Sequence, residues 1–487
     1  MCRKKTSLKI CFKELKPYNT SMNTFKAKKF VPSILAILAA ICITIFIIWA
    51  FSLHGTGGLF HVNGLFRLLF QILGCFGIAL AIMGTGYLLF YSRLKRSAIN
   101  ILAALLITCS VPGLLVPTFA YLYTSGSFSG GIGDTSPQLL ISDKCGCYGI
   151  PDLALTFNSA QASYNTLVWG TAENLVTIRE DKALRQHIFI MSDLEPLTNY
   201  SYRVNDGIVY NFTTPSDTSL RIAIGSDAHF GAGDNRMDLT TAMLQIIAEP
   251  NNKFDYMFML GDLIEYGFNA NQWAEAFNTV SLTSSSIPIR YALGNHDSIF
   301  AGLNNYKNFA SPKEINTVSG SQLWYRIDIG SIHFLFLDIE WSAESYTAAQ
   351  AAWLESQLQE IPRNDWKIVL GHGYYFSSGA TQTCRDWFDN LETITPLTPL
   401  FEKYGVDLVF SGHNHHMELL QNNGVTYVIC GAFGGAHDHI RTYTSPTSLW
   451  YQQAQYGFVD VNIDSHQCSL FFRDSDNLIL NTITIWK

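Results

Sequence analysis

The sequence predicts a multidomain protein of mixed α+β and α/β class, in which transmembrane helices precede a β-sandwich and a larger domain with helices outside two sheets. Three patterns support this order. Long uncharged apolar stretches occupy much of residues 31–123, and short strand-like runs separated by turn residues fill residues 137–217. From residue 218 onward, strand-like runs alternate with helical spacing. A length of 487 residues allows two or three such domains.

The first 123 residues have the pattern of a membrane anchor. Residues 1–30 form a polar tail that contains nine Lys and Arg side chains. Uncharged apolar stretches follow at about 31–53, 68–91 and 98–123, and each is long enough to cross a bilayer. A positive mean hydropathy of +0.12 agrees with membrane segments. Because the three stretches contain no ionisable Asp, Glu, Lys or Arg, they predict an anchor rather than a transporter.

The basic residues between these stretches predict the orientation. The loop between the second and third stretches contains Arg93, Lys95 and Arg96, whereas the loop between the first two contains only Arg67. Basic loops remain in the cytoplasm. We therefore expect a cytoplasmic N-terminus and an extracytoplasmic location, at the cell membrane, for everything after Tyr123. The competing hypothesis is the reverse topology, with the remainder of the chain in the cytoplasm.

A Gly/Ser-rich linker at residues 124–136 leads into the predicted β-sandwich at residues 137–217. The segment from Asp193 to Tyr202, followed by residues 212–215, resembles the end of a fibronectin type III-like domain, with Tyr200 as its corner tyrosine. The strand-like runs of this region are residues 154–157, 166–170, 175–179, 187–191, 200–204 and 208–213.

From residue 218 to 487, strands and helices alternate around five polar motifs. Residues 236–248 and 349–358 have helical apolar spacing. Late strand-like runs are expected to complete a second sheet, at residues 425–430, 457–463, 468–473 and 478–486. Each polar motif follows an apolar run that predicts a buried strand, and the motifs are Asp227-Ala228-His229, Gly261-Asp262, Gly294-Asn295-His296-Asp297, Gly371-His372 and Gly412-His413-Asn414-His415.

The positions of these motifs predict a metal centre. Open α/β sheets bind ligands beyond the carboxyl ends of their strands, so the five motifs are expected to meet at one sheet edge. Oxygen and imidazole donors without thiolates suit Mn, Fe or Zn. Seven such donors are too many for one tetrahedral site and about right for two ions that share a carboxylate.

Together, the five motifs resemble, in order, the pattern of the calcineurin-like metallophosphoesterase family: D-x-H, G-D, G-N-H-D/E, H and G-H-x-H. The resemblance implies a four-layer αββα domain over residues 218–487, with two mixed sheets between helices. A β-sandwich in front of such a domain is similar to the arrangement in purple acid phosphatase-like proteins.

The resemblance also implies the ligand sets of two metal ions. The first ion would be bound by Asp227, His229, Asp262 and His415. The second would be bound by Asp262, Asn295, His372 and His413, so that Asp262 bridges the two. The implied reaction is hydrolysis of phosphomonoesters or phosphodiesters outside the cytoplasm, by attack of a metal-bridging hydroxide on phosphorus.

Two further residues are expected to take part in catalysis. Adjacent side chains diverge, so His296 cannot easily share a metal ion with Asn295. We predict that His296 is a general acid for the leaving oxygen or a phosphate clamp. Asp297 is expected to orient His296 and to raise its pKa.

One departure from the purple acid phosphatases concerns Glu265. Those proteins place a tyrosine three residues after the shared aspartate, where this chain has Glu265 and then Tyr266. They also lack the histidine of the first motif, which is His229 here. We therefore expect no purple chromophore. Glu265 is either a weak extra ligand or a residue that supports the ligands.

Several alternatives remain open at this point. His437, in a Gly-rich segment, is a candidate substrate contact or a plain loop histidine, and residues 374–376 either line a pocket or simply pack.

A net charge of −7 with 32 Lys and Arg gives no basic field for nucleic acid. The competing function is a catalytically silent cell-surface binding or adhesion module with the same fold. The presence of all seven expected ligands favours the enzyme.

Overall fold

The computed structural model describes residues 132–299, 302–382 and 385–487. All of these residues belong to one compact unit. The predicted basic tail, the three predicted membrane stretches and most of the linker lie outside them. Within the three described ranges, no helix is both long enough and apolar enough to span a membrane.

The described ranges contain 22 strands and four helices of more than ten residues. The strands are β1 (Gln138–Cys145), β2 (Pro151–Ser163), β3 (Thr166–Gly170), β4 (Leu175–Arg179), β5 (Leu184–Met191), β6 (Asn199–Val204), β7 (Tyr210–Thr213), β8 (Ser219–Gly225), β9 (Tyr256–Met259), β10 (Ile289–Tyr291), β11 (Tyr325–Ile329), β12 (Ile332–Phe336), β13 (Trp366–Leu370), β14 (Thr381–Gln382), β15 (Arg385–Asp386), β16 (Leu408–Ser411), β17 (Met417–Asn422), β18 (Val425–Cys430), β19 (Ser448–Gln452), β20 (Gly457–Asp464), β21 (Gln467–Asp474) and β22 (Ile479–Trp486). The helices are α1 (Met237–Ala248), α2 (Ala270–Ser284), α3 (Ala348–Glu360) and α4 (Leu391–Tyr404), and short helical turns occur at Asn295–Ser298, Gly302–Asn305, Tyr306–Ala310 and Lys313–Ile315.

Two large mixed sheets form the centre of the fold. The nine-stranded sheet has the order β22-β21-β20-β8-β9-β10-β1-β2-β5, in which β8, β9, β10 and β1 are parallel. The seven-stranded sheet has the order β11-β12-β13-β16-β18-β17-β19, in which β12, β13, β16 and β18 are parallel. The prediction of two mixed sheets is confirmed.

The helices lie on the outer faces of the two sheets. Buried apolar side chains from both sheets fill the space between them, and one example is the edge-to-face pair of Phe258 and Phe334. Leu244 of α1 and Phe277 of α2 pack in a second cluster on the other face of the nine-stranded sheet. Leu354 of α3 packs similarly outside the seven-stranded sheet, together with α4. The layers therefore run helix, sheet, sheet, helix, because each sheet has two apolar faces to bury.

The strand-like runs of residues 137–217 all form, but in two different sheets. Strands β3, β4, β6 and β7 make a four-stranded sheet in the order β4-β3-β6-β7, whereas β1, β2 and β5 extend the nine-stranded sheet. The connection is the parallel pairing of β1 with β10, in which Leu140 is opposite Ile289. The hydroxyl oxygen of Tyr200 accepts a hydrogen bond from the Glu195 N–H at 2.9 Å. The predicted boundary at residues 217/218 thus separates segments that share one sheet, and the fibronectin type III-like assignment stays a prediction.

The predicted sheet was wrong for three of the four late strands. All four late runs form strands, but only β18 belongs to the second sheet, because β20, β21 and β22 extend the first sheet through the antiparallel pairing of β20 with β8. Strand existence follows from local apolar pattern, whereas the choice of partner depends on residues more than 200 positions away, such as Ile222 opposite Val461.

The parallel strands bring the five motifs to one edge. Strands β8, β9 and β10 are neighbours in the first sheet, and β13 and β16 are neighbours in the second. Each motif begins within three residues of the carboxyl end of its strand. Because the two sheets pack face to face, both sets of strand ends open on a common crevice.

We expect the layer between the sheets to dominate stability. Phe258 is fully buried, and its ring centroid lies 5.1 Å from that of Phe334 and 5.2 Å from that of Phe336. Replacing Phe258 by Ala should lower the free energy of unfolding by about 3–5 kcal/mol, because it leaves a cavity. The control, Val318→Ala at a 70% exposed position, should change it by less than about 0.5 kcal/mol. Urea denaturation followed by tryptophan fluorescence measures both, and equal effects would contradict the assigned layer.

Candidate metal centre

The structure brings the predicted ligands together at the crevice. Within each of three groups, the potential ligand atoms all lie within 4.8 Å of one another. The groups are Asp227, His229 and His415; Asp262, His372 and His413; and His229, Asp262 and His296. The first two groups match the two predicted ligand sets, except that the first lacks the shared Asp262 and the second lacks Asn295.

The first half of the centre surrounds Asp227. Its Oδ1 lies 3.3 Å from Nε2 of His415 and 3.8 Å from Nε2 of His229. The two Nε2 atoms are 3.1 Å apart. Asp227 is completely buried, whereas the side chain of His415 is 16% exposed, so this half lies nearer to solvent.

The second half surrounds Asn295 and is more deeply buried. Nε2 of His372 lies 3.0 Å from Oδ1 of Asn295 and 3.2 Å from Oδ2 of Asp262. Nδ1 of His413 lies 2.9 Å from the same Asn295 oxygen. The Oδ2 atom of Asp262 is also 3.6 Å from Nε2 of His229. Asp262 therefore lies between the two halves, where a bridging carboxylate would be required.

Oxygen acceptors outside the centre determine which nitrogen of three rings faces inward. A carbonyl or carboxylate oxygen beside Nδ1 accepts a hydrogen bond from it, so that Nε2 of the neutral ring has the free lone pair. The pairs are His372 Nδ1 with the Leu260 carbonyl at 2.8 Å, His415 Nδ1 with the Ala436 carbonyl at 2.5 Å, and His229 Nδ1 with Glu265 Oε2 at 2.8 Å.

The backbone at the centre adopts conformations that side chains normally avoid. The φ angles are 65° at Asp227, 48° at His229, 46° at Asp262 and 68° at His413. This left-handed region costs a residue with a side chain about 1–3 kcal/mol. Four such residues in one cluster show that the surrounding fold imposes these conformations, as is typical of functional sites.

One unsatisfied polar atom of the cluster fits a bound cation. Among the described residues, the buried polar atoms without a hydrogen-bond partner include Oδ1 of Asp227. A buried carboxylate oxygen without a donor is costly, and a cation removes that cost. The donors are carboxylate, amide and imidazole, which suit Mn, Fe or Zn. The residues present therefore fit a pair of metal ions.

The shifted pKa values of these side chains also fit a pair of bound metal ions. Burial alone would raise the pKa of Asp227, but His372, His229 and His415 together hold it well below its ordinary value. Burial lowers the pKa of His372, yet the Asp262 and Asp227 carboxylates outweigh that and raise it to about 9. Without a metal ion, a protonated His372 thus balances part of the carboxylate charge. Burial and the nearby positive His372 lower the pKa of His413 to about 3.

The expected pairing of Asp297 with His296 is corrected by the structure. The Asp297 carboxylate accepts hydrogen bonds from the backbone N–H groups of Ile264 at 3.2 Å and Gly294 at 3.0 Å. It closes the turn that begins at Gly294, the usual role of an acidic residue at the third helical position. Burial, together with the negative charge of Asp262, raises the pKa of Asp297 to about 8.

Glu265 takes the position that was expected of Asp297. Its Oε2 lies 2.8 Å from Nδ1 of His229 and 3.5 Å from Nδ1 of His296. The backbone carbonyl of Glu265 lies 2.9 Å from the same His296 nitrogen. Of the two alternatives for Glu265, the geometry matches the residue that supports ligands.

Sequence reasoning missed two of the aromatic side chains that enclose His413, whereas it named Tyr374 as a candidate pocket residue. The Trp341 ring lies 4.0 Å from the His413 ring in an edge arrangement, and Trp387 stacks on it at 5.2 Å. Tyr374 also stacks on His413, at 5.6 Å, whereas Tyr375 packs in the outer core. Both tryptophans come from loops with no local motif, so no signal in the sequence marked them.

His437 lies behind the first half of the centre. Its Nδ1 is 3.4 Å from the backbone carbonyl of His415, and its ring stacks on Tyr456 at 4.1 Å. Packing against Tyr456 accounts for its position. A contact with substrate stays a prediction.

Comparisons with known proteins agree with the fold around the candidate metal centre. Residues 220–417 match the family described as calcineurin-like phosphoesterase. The chain is 25% identical over 367 residues to the probable inactive purple acid phosphatase 27 of Arabidopsis thaliana, and the match covers 62% of this chain and 58% of that protein. It is 24% identical over 355 residues to purple acid phosphatase 18 of the same plant, covering 68% and 77%. Its fold resembles the solved structure of purple acid phosphatase PPD1 from yellow lupin (Lupinus luteus) seeds, with a TM-score of 0.60 and 20% identity over 73% of this chain and 74% of that one.

We expect metal binding to release protons. Because the pKa of His372 is raised to about 9 when no metal is bound, this ring is protonated at pH 7, and it must lose its proton to bind an ion. Affinity for Mn²⁺ should therefore rise with pH up to about 9. Calorimetric titration at pH 7 in two buffers with different ionisation enthalpies measures the release. The His372→Gln variant should release fewer protons, and equal apparent enthalpies in both buffers would contradict the prediction.

Proposed function

We propose that this protein is a metal-dependent hydrolase of phosphomonoesters or phosphodiesters, because residues 220–417 match the calcineurin-like phosphoesterase family. The proposal depends chiefly on one observation, the position of Asp262 between two clusters of histidines. The resident cofactors would be two ions of Mn, Fe or Zn, held by the seven converging side chains.

The residues of the chain have separable tasks in this reaction. When bound, two such ions supply Lewis acidity and lower the pKa of a bound water towards neutrality. Asp227, Asp262 and the histidines hold and orient the ions. The side chain of His296 is 14% exposed at the open side of the crevice, where a leaving group would lie.

His296 is the proposed proton donor to the leaving oxygen. The Glu265 carbonyl lies beside its Nδ1 and keeps that nitrogen protonated. Nε2 is then the atom that can hold the transferable proton. Oε2 of the Glu265 carboxylate lies 3.5 Å from the same Nδ1 of His296. A single carboxylate at residue 265 thus serves both His296 and His229.

The proposed enzyme is similar to purple acid phosphatases without sharing their colour. Glu265 occupies the position at which those proteins have a tyrosine, and it contacts His229 instead of completing a ligand set. The next residue, Tyr266, is 44% exposed and packs against Phe268. An iron-loaded sample with an intense visible absorption band that disappears in Tyr266→Phe would refute this part of the proposal.

The proposed location is the extracytoplasmic face of the cell membrane, with the cytoplasmic N-terminus and the three stretches of residues 31–123 as the anchor. Support comes from the length of the uncharged stretches and from the basic residues that flank them. The proposed fibronectin type III-like character of residues 137–217 has support from the contact of Tyr200 with Glu195. Protection of this segment from protease on intact cells would refute the orientation.

A binding module without catalysis is the second candidate, favoured by the word inactive in the names of three relatives. We expect metal-dependent turnover instead. Protein loaded with Mn²⁺ should hydrolyse p-nitrophenyl phosphate or its bis ester, and chelation or Asp262→Asn should abolish turnover. The matched control is His466→Asn, at an exposed histidine outside the centre. No turnover of either ester by protein that holds two ions would favour the binding module.

The role of His296 predicts a dependence on the leaving group. Replacing His296 by Asn should reduce kcat for an alkyl phosphate by about 10²–10⁴-fold, because a poor leaving group needs a proton. The reduction should be much smaller for p-nitrophenyl phosphate, whose leaving group departs as a stable anion. Metal content, measured in parallel, should not change. Equal reductions for both substrates would show that His296 binds phosphate and does not donate a proton.

A further inference from the structure

The loop after β18 contacts His415 at two points. The carbonyl oxygen of Ala436 lies 2.5 Å from Nδ1 of the His415 ring. Two residues later, Oδ2 of Asp438 accepts a hydrogen bond from the backbone N–H of His415 at 2.7 Å. The first contact orients the ring and the second holds the peptide. Both parts of this ligand therefore depend on residues 436–438.

Asp438 is itself held by His416. Its Oδ2 lies 3.5 Å from Nδ1 of His416, and Oε2 of Glu418 lies 3.2 Å from Nε2 of the same ring. The backbone N–H and hydroxyl of Ser378 donate to the Glu418 carboxylate at 2.8 and 2.6 Å. His416, Glu418 and Ser378 are almost completely buried. Hydrogen bonds link Ser378, Glu418 and His416. The ion-pair contact of 3.5 Å between His416 and Asp438 connects this buried group to the peptide of His415, and such networks restrain their members.

The turn that contains His415 needs this external support. Its backbone is closed by hydrogen bonds between residues only two apart: Asn414 N–H to the Gly412 carbonyl and His416 N–H to the Asn414 carbonyl, both at 2.8 Å. His413, within the same turn, has a φ of 68°. A tight turn with a strained residue does not fix the direction of His415 by itself.

We propose that Asp438 and His416 are positioning residues that hold His415 for the metal ion bound by Asp227, His229 and His415. This inference rests on the metal-binding part of the proposed function, and it does not depend on hydrolysis. Contacts that orient a ligand from outside change metal affinity by about 10- to 100-fold. In the described part of the chain, neither residue has a hydrogen bond to a ligand of the second ion, so only one of two binding events should respond.

The test is a titration of metal-depleted protein with Mn²⁺, followed by calorimetry and by electron paramagnetic resonance of the bound ion. In Asp438→Ala, one of two equivalents should bind about 10- to 100-fold more weakly while the other keeps its affinity. Asp438→Asn retains an acceptor oxygen at the same place and should recover most of the loss. His416→Ala should reproduce the selective loss.

A matched control changes the same loop without affecting His415. The Gln453 amide donates to the backbone carbonyls of Asp438 at 2.6 Å and His439 at 2.7 Å. Gln453→Ala should bind both equivalents with parental affinity.

Unchanged binding of both ions in Asp438→Ala would overturn the proposal, and so would equal weakening of both with a lower melting temperature. Parental protein that binds no Mn²⁺ would overturn this inference and the proposed function together. Parental protein that binds two ions without hydrolysing either ester would contradict the proposed function alone, and the selective loss would still support the role of Asp438.

Discussion

The rest of the structure depends on the burial of two carboxylates. Asp227 and Asp262 are 0% and 2% exposed at the junction of the two sheets, where an uncompensated charge costs several kcal/mol even after relaxation. Positive charge must therefore always be present at this point. Protonated imidazoles supply part of it in the absence of a metal ion, and two cations would supply it fully. The alternation between these states explains why so many histidines surround two aspartates.

The remainder of the fold can be understood as a support for that concentration of charge. Parallel strands from both sheets deliver short turns to the same crevice, and left-handed backbone at four of the ligands aims their side chains inward. Carbonyl and carboxylate acceptors behind the rings of His372, His415 and His229 fix the nitrogen that faces the centre. The left-handed backbone is unfavourable locally, and the packing of the apolar layers on either side stabilises it.

Sequence reasoning predicted the parts of the site that depend on residues adjacent in the sequence. An apolar run followed by a polar motif places a side chain at a strand end, and this was enough to find Asp227, Asp262 and their partners. The partner of His296 was missed because Asp297, although adjacent, turns away to cap backbone N–H groups. Trp341, Trp387 and Asp438 were missed because they reach the centre only through tertiary packing. The sheet membership of β20, β21 and β22 was wrong for the same reason, since strand pairing is decided by distant residues.

The place of β1 within the nine-stranded sheet has a consequence for how the chain is made. Its parallel neighbour, β10, begins at Ile289, so about one hundred and fifty residues must leave the ribosome after β1 before the two can pair. While the middle of the protein is synthesised, the early strands β1, β2 and β5 therefore have no partner along the edge of β1 that later pairs with β10. Long-range pairings of this kind form slowly and expose unpaired strands in the meantime. A chaperone that covers these unpaired strands would therefore protect the nascent chain over a long interval of its synthesis.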